Sequence, residues 1–149
     1  MKKLLAIIVL GLLWNSTSFA FNGLKGINQF ELIVQSQEKC GVTKFNIENS
    51  AKYILSNSKI KIDKQSPDIL FIDIMILKTP YGCFSFQKAQ VFTWRATKNS
   101  SGNEVLVPLM LWETASVRKD NPDTFARNAI GLTESQIKQF IVAWSEQNK

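Results

Sequence analysis

The stretch Ile69–Leu77, I-L-F-I-D-I-M-I-L, constrains this chain more than any other. It is apolar and β-branched almost without a break, and prolines stand just outside it at Pro67 and Pro80. A run this short, punctuated this way, reads as the central strand of a sheet, covered on both faces. Only Asp73 interrupts it.

The surrounding elements follow from periodicity. Gln29–Val34 alternates, with Phe30, Leu32 and Val34 on one side, and predicts a first strand. Thr43 is a good N-cap for a helix running to about Asn57. Its apolar stripe is Ile47, Ala51, Ile54 and Leu55, with Lys44, Glu48 and Lys52 on the other side. Lys59–Ile62 predicts a short edge strand whose lysines discourage stray pairing. Pro80-Tyr81-Gly82 is a turn, Cys83–Arg95 a long strand, Asn99–Asn103 a hairpin turn and Val105–Thr114 the last strand. Arg118–Asp123 reads as a polar loop. Thr133 with Gln136 reads as the capping box of a final helix, its stripe formed by Ile137, Phe140, Ile141 and Trp144. The class is α+β: a two-layer sandwich of a mixed sheet of about four strands, with two helices packed on one face. Residues 21–149 form one domain of this kind.

Residues 1–20 read as an export signal. Lys2 and Lys3 precede the apolar run Leu4–Leu13, a polar segment follows, and Ser18 and Ala20 are the small residues of a cleavage site. Ten apolar residues span about 15 Å as a helix, half of a bilayer core of about 30 Å. Cleavage after Ala20 predicts a periplasmic or secreted product that does not span the membrane, and loss of the two lysines takes the net charge from +6 to +4. The remaining basic residues are scattered, which argues against a nucleic-acid partner.

The chain has no histidine and two cysteines. That composition excludes histidine general acid–base chemistry, Ser-His-Asp and Cys-His triads, and histidine-ligated metal sites. A four-cysteine zinc or iron–sulfur site within one chain is excluded as well. No Gly-rich phosphate loop is present. No catalytic residue, metal or cofactor is therefore expected.

The layout carries recurrent stations: Gly23-Leu24-Lys25-Gly26 before the first strand, Pro67-Asp68-Ile69-Leu70 opening the central one, Trp112 in the last strand, and Phe140-Ile141 with Asn148 at the end. With these it resembles small periplasmic domains such as the lipopolysaccharide-assembly lipoprotein and the N-terminal domain of the Tol translocation protein. It is also similar to secreted bacterial proteins of the same layout. The resemblance implies this fold and a non-enzymatic envelope role. No cysteine follows the cleavage site for lipidation, so membrane tethering is not implied.

Cys40 and Cys83 are expected to pair in an oxidising compartment. A right-handed crossover makes the first and central strands parallel, so the two cysteines meet at one sheet edge. Without a C-x-x-C spacing, the bond is structural rather than redox-active. Asp73 either acts as an acid or base within its apolar strand, or faces solvent at a gap in the helix layer or pairs with a lysine; one of the latter two is the expectation. Glu31 on the first strand can approach Asp73, and paired carboxylates can hydrolyse glycosides. Trp94, Trp112 and Trp144, with Phe84, Phe86 and Phe92, make the second half aromatic-rich. Core packing is the expected role, and a binding platform the alternative. Three functions remain: an accessory protein binding another envelope protein, a small peptidoglycan- or glycan-directed hydrolase using Glu31, Asp73 or Glu113, and a secreted inhibitor or immunity-like factor. The first is favoured, with Trp94, Asp73 and Glu31 as possible binding residues.

Overall fold

The structure, a computed structural model, describes residues 22–149. The expected export signal lies outside the described residues. After a short 3-10 turn at Asn22–Leu24 come β1 (Gln29–Ser36), α1 (Lys44–Ser56), β2 (Lys61–Ile62), β3 (Asp68–Thr79), β4 (Gly82–Lys98), β5 (Glu104–Asp120) and α2 (Pro122–Gln147). The strands form one mixed sheet of five in the order β2-β1-β3-β4-β5. β1 runs parallel to β2 and β3, and the two hairpins make β3, β4 and β5 antiparallel. The class is α+β, with one strand more than expected.

The alternation of β3 decides where the core lies. Leu70, Ile72, Ile74 and Ile76 are buried beneath the helices. Their neighbours Phe71, Asp73, Met75 and Leu77 point to the other side, where no described helix lies. Leu77 is 63% exposed there. β3 is central in the sheet order, as the sequence predicts, but it is covered on one face only.

α1 starts where expected: the Thr43 hydroxyl accepts from Asn46 N at 3.2 Å, and Lys52 pairs with Glu48 one turn back. α1 buries Ile47, Ala51 and Leu55. α2 is much longer than the capping-box reading allows. Pro122 sits in its first turn, where a missing N–H costs nothing, and Asn121 is its N-cap. Arg118–Asp120 completes β5 instead of forming a loop. Thr133 and Gln136 are buried in the middle of α2, so neither caps anything. The 26 residues of α2 extend about 39 Å. They press Phe125, Ala129, Ile137, Phe140 and Trp144 onto the sheet. Phe30 meets Phe140 edge-on at 5.2 Å, and Trp112 lies 5.4 Å from the same ring.

The Cys40–Cys83 bond is formed, with Cα atoms 6.4 Å apart. It ties the connection after β1 to the start of β4. The N-terminal segment is clasped by the end of α2. Asn148 Oδ1 accepts from Gly26 N at 2.7 Å while its amide nitrogen donates to Leu24 O at 2.9 Å, and Trp144 Nε1 donates to Ile27 O. Two of the stations read from the sequence thus meet in space.

Candidate functional site

With both helices on one side, the pleat leaves a second face uncovered. Its residues follow from register. On β3 they are Phe71, Asp73, Met75 and Leu77. Their β4 partners are Gln90, Lys88, Phe86 and Phe84, and the β5 partners of those are Glu113, Ala115, Val117 and Lys119. Beyond a bulge at Val91/Phe92, Phe92 opposes Met110 and Trp94 opposes Pro108 on the same face. The aromatic set therefore splits. Trp112 and Trp144 pack into or against the core, as expected. Phe84, Phe86, Phe92 and Trp94 lie on the uncovered face, and Trp94 is 45% exposed.

Two apolar depressions occupy this face. Near the β3–β4 turn, Met75, Leu77, Phe84, Phe86 and Val117 line one, with Gln37 and Lys39 at its rim. Toward the β4–β5 hairpin, Phe71, Phe92, Trp94, Pro108 and Met110 line a shallow second one of about 330 Å³. Its floor is a staircase of edge-on rings: Phe71 to Phe92 at 6.5 Å, then Phe92 to Trp94 at 6.1 Å. Such contacts hold the indole in place without burying it. β3 begins at Asp68, opposite Thr93, so the β4–β5 hairpin extends beyond that point as a two-stranded arm. Its apolar side chains include Leu106 and Val107, both exposed.

Between the two depressions lie Asp73 and Lys88, directly opposite each other on β3 and β4. Asp73 thus sits on the sheet face away from the helices, with Lys88 opposite it in register and no ion pair formed between them among the described residues. Glu31 shares that face but is opposite Ile69, whereas Asp73 is opposite Gln35. Four residues of offset place the two carboxylates about 13 Å apart along the strands. Paired carboxylates of glycosidases stand about 5 to 9.5 Å apart, so the register does not bring Glu31 and Asp73 into that relation. Glu113 is held elsewhere, its carboxylate accepting from Gln90 Nε2 at 2.9 Å. Among the described residues, no three potential metal-ligating side chains cluster, and no helix is long and apolar enough to cross a membrane.

Sequence reasoning singled out Trp94 but not Phe71, Met75, Leu77 or Val117. The signal was present: in β3 the apolar character continues through both parities of the pleat. It was read as burial.

No protein-family profile matches the chain, and no curated protein matches it. Among solved structures it is similar to a minor lipoprotein from Acinetobacter baumannii, at 12% sequence identity over 80% of this chain and 89% of that one. The TM-score is 0.26.

Proposed function

We propose that this is an exported envelope accessory protein that binds another protein through the open sheet face, without turnover. The observation that carries the reading is that face. It carries two apolar clusters, Met75, Leu77, Phe84, Phe86 and Val117 in one and Phe92, Trp94 and Met110 in the other, with no described helix over either. Water in contact with so much apolar side chain is costly, and exposed patches of this kind mark interaction surfaces. The sequence signal for export and the Cys40–Cys83 bond support an oxidising compartment.

The test is site-specific photo-crosslinking in the producing cell. A crosslinking residue placed at Trp94 or Leu77 should capture one envelope protein. The same residue at Tyr53, exposed on α1 on the opposite side, should not. Equal capture from Tyr53, or none from the open face, would sink the proposal. Asp73→Asn and Glu31→Gln should leave the phenotype intact. Loss of phenotype in these variants, with unchanged stability and a hydrolytic activity in the wild type, would instead favour the hydrolase.

A further inference from the structure

The sheet has two edges, and they are unlike. β2 closes one side with only two residues, between Lys59 and Lys64. The edge strand expected at Lys59–Ile62 is thus too short to template much pairing. β5 forms the other edge with 17 residues and pairs with β4 alone. Half of β5 is protected. Pro108 has no N–H, so within the continuous β4–β5 ladder its nitrogen faces outward and interrupts the row of outward donors. The other half, Glu113–Lys119, has no proline, and among the described residues no strand pairs with its outer edge.

Register identifies the outward groups in that half. Pro108 is opposite Trp94; Glu113, Ala115, Val117 and Lys119 are opposite Gln90, Lys88, Phe86 and Phe84. All five partners are an even number of steps apart on β4, so these four residues also turn their backbone N–H and C=O groups outward. Their side chains share the open face. Glu113 and Lys119 stand symmetrically about Ser116, with Ala115 and Val117 between them. The Glu113 carboxylate is held by Gln90, and Lys119 Nζ lies 5.4 Å over the Phe84 ring.

We propose that a second copy of this chain adds antiparallel to β5 across a two-fold axis at Ser116, joining two sheets into one of ten strands. In that register Glu113 of each copy faces Lys119 of the other, twice by symmetry. Ala115 faces Val117, and Thr114 faces Arg118. Sliding the axis to Ala115 sets Glu113 against Val117 and Lys119 against the bulge. Sliding it to Val117 sets Glu113 beyond the end of the strand, and sliding it to Arg118 stacks that arginine on its own copy. Half-step shifts oppose outward groups to inward ones and mix the two faces. Charge and pleat thus agree on one self-complementary arrangement. It leaves both open faces on the same side of the joined sheet, so it does not depend on what those faces bind. An edge pairing of this length is small for an interface and should dissociate on the order of 10 μM.

Sedimentation equilibrium on the processed, disulfide-bonded protein tests it. The wild type should be dimeric at high concentration and dissociate on dilution. Glu113→Lys or Lys119→Glu alone should weaken the dimer at least about tenfold, because like charges then meet twice. The double reversal should restore it. Val117→Pro should abolish it while keeping the β4–β5 ladder, since only an outward N–H is lost. Amide exchange needs no variant: Ala115 and Val117 should gain protection as concentration rises. A wild type that stays monomeric at several hundred micromolar would overturn the proposal. So would a dimer indifferent to the single reversals, a double reversal that fails to restore dimerisation in folded protein, or exchange at Ala115 and Val117 unaffected by concentration.

Discussion

Thr133 Oγ1 lies 3.1 Å from Gln87 Oε1, both side chains wholly out of solvent where α2 meets β4. The hydroxyl has one proton; the Ala129 carbonyl, also within reach at 3.2 Å, already has its helix partner, so Gln87 receives it. Gln136 Nε2 donates to the Gln87 carbonyl at 3.3 Å, but Gln136 Oε1 has no partner. The two neighbours should therefore respond differently. Thr133→Val keeps the shape and leaves a buried acceptor unpaired, at a cost of about 1 to 3 kcal/mol. Gln136→Met removes an acceptor that was already unpaired, and Gln87, paired on both sides within the sheet, keeps a strand partner for its carbonyl. That change should cost less than about 1 kcal/mol. Urea denaturation of both variants decides; the reverse order would refute the asymmetry.

The Cys40–Cys83 bond closes a loop with a sequence separation of 43. On the chain-entropy account it destabilises the unfolded state by about 4 kcal/mol. Reduction should lower the melting temperature by ten degrees or more, since about 1 kcal/mol moves a domain of this size by about 3 to 6 °C. Thiol labelling of unfolded, unreduced protein should modify neither cysteine.

Trp144 is 8% exposed and donates to Ile27 O, so it both fills the core and anchors the N-terminal segment. Trp144→Ala should cost about 3 to 5 kcal/mol. Asn148→Ala loses two hydrogen bonds to the same segment at a more exposed site, and should cost about 1 kcal/mol. A Trp144→Ala cost below about 0.5 kcal/mol would mean the helix end is not docked.

Asp120 closes β5 against α2. Hydrogen bonding from Arg118, and then from Asn128 Nδ2 at 2.9 Å, holds its carboxyl below the usual aspartate value. A depressed folded-state pKa contributes stability that is present above the unfolded value and lost as pH falls through the folded one. Carbon-detected NMR titration should show Asp120 ionising below ordinary aspartate. Arg118→Gln should raise its pKa and shrink its share of the acid destabilisation.

Much of this protein was legible in advance. The bounds of α1 and its Thr43 cap, the turns at Pro80-Tyr81 and Asn99–Asn103, and the α+β class all rest on local rules that neighbouring residues enforce. The misreadings share a cause. Thr133-x-x-Gln136 has the pattern of a cap, but the same two side chains serve as well inside a helix when a glutamine on the opposing strand supplies the partner. Asn121-Pro122-Asp123 fits a loop or a helix start equally; which one forms depends on whether Phe125 and Ala129 find a surface to bury against.

The sequence by itself determined the strand at Ile69–Leu77, the helical stripes, the cysteine pairing and the exclusion of histidine chemistry, because these follow from composition and short-range periodicity. Only the tertiary structure decided that one side of that strand stays bare. An apolar residue is written the same way whether its neighbour across space is a helix or water. Both described α-helices settle on one side, where α2 packs against β4 and β5. That leaves Met75, Leu77, Trp94 and Val117 uncovered, and β5 without a neighbour at its outer edge.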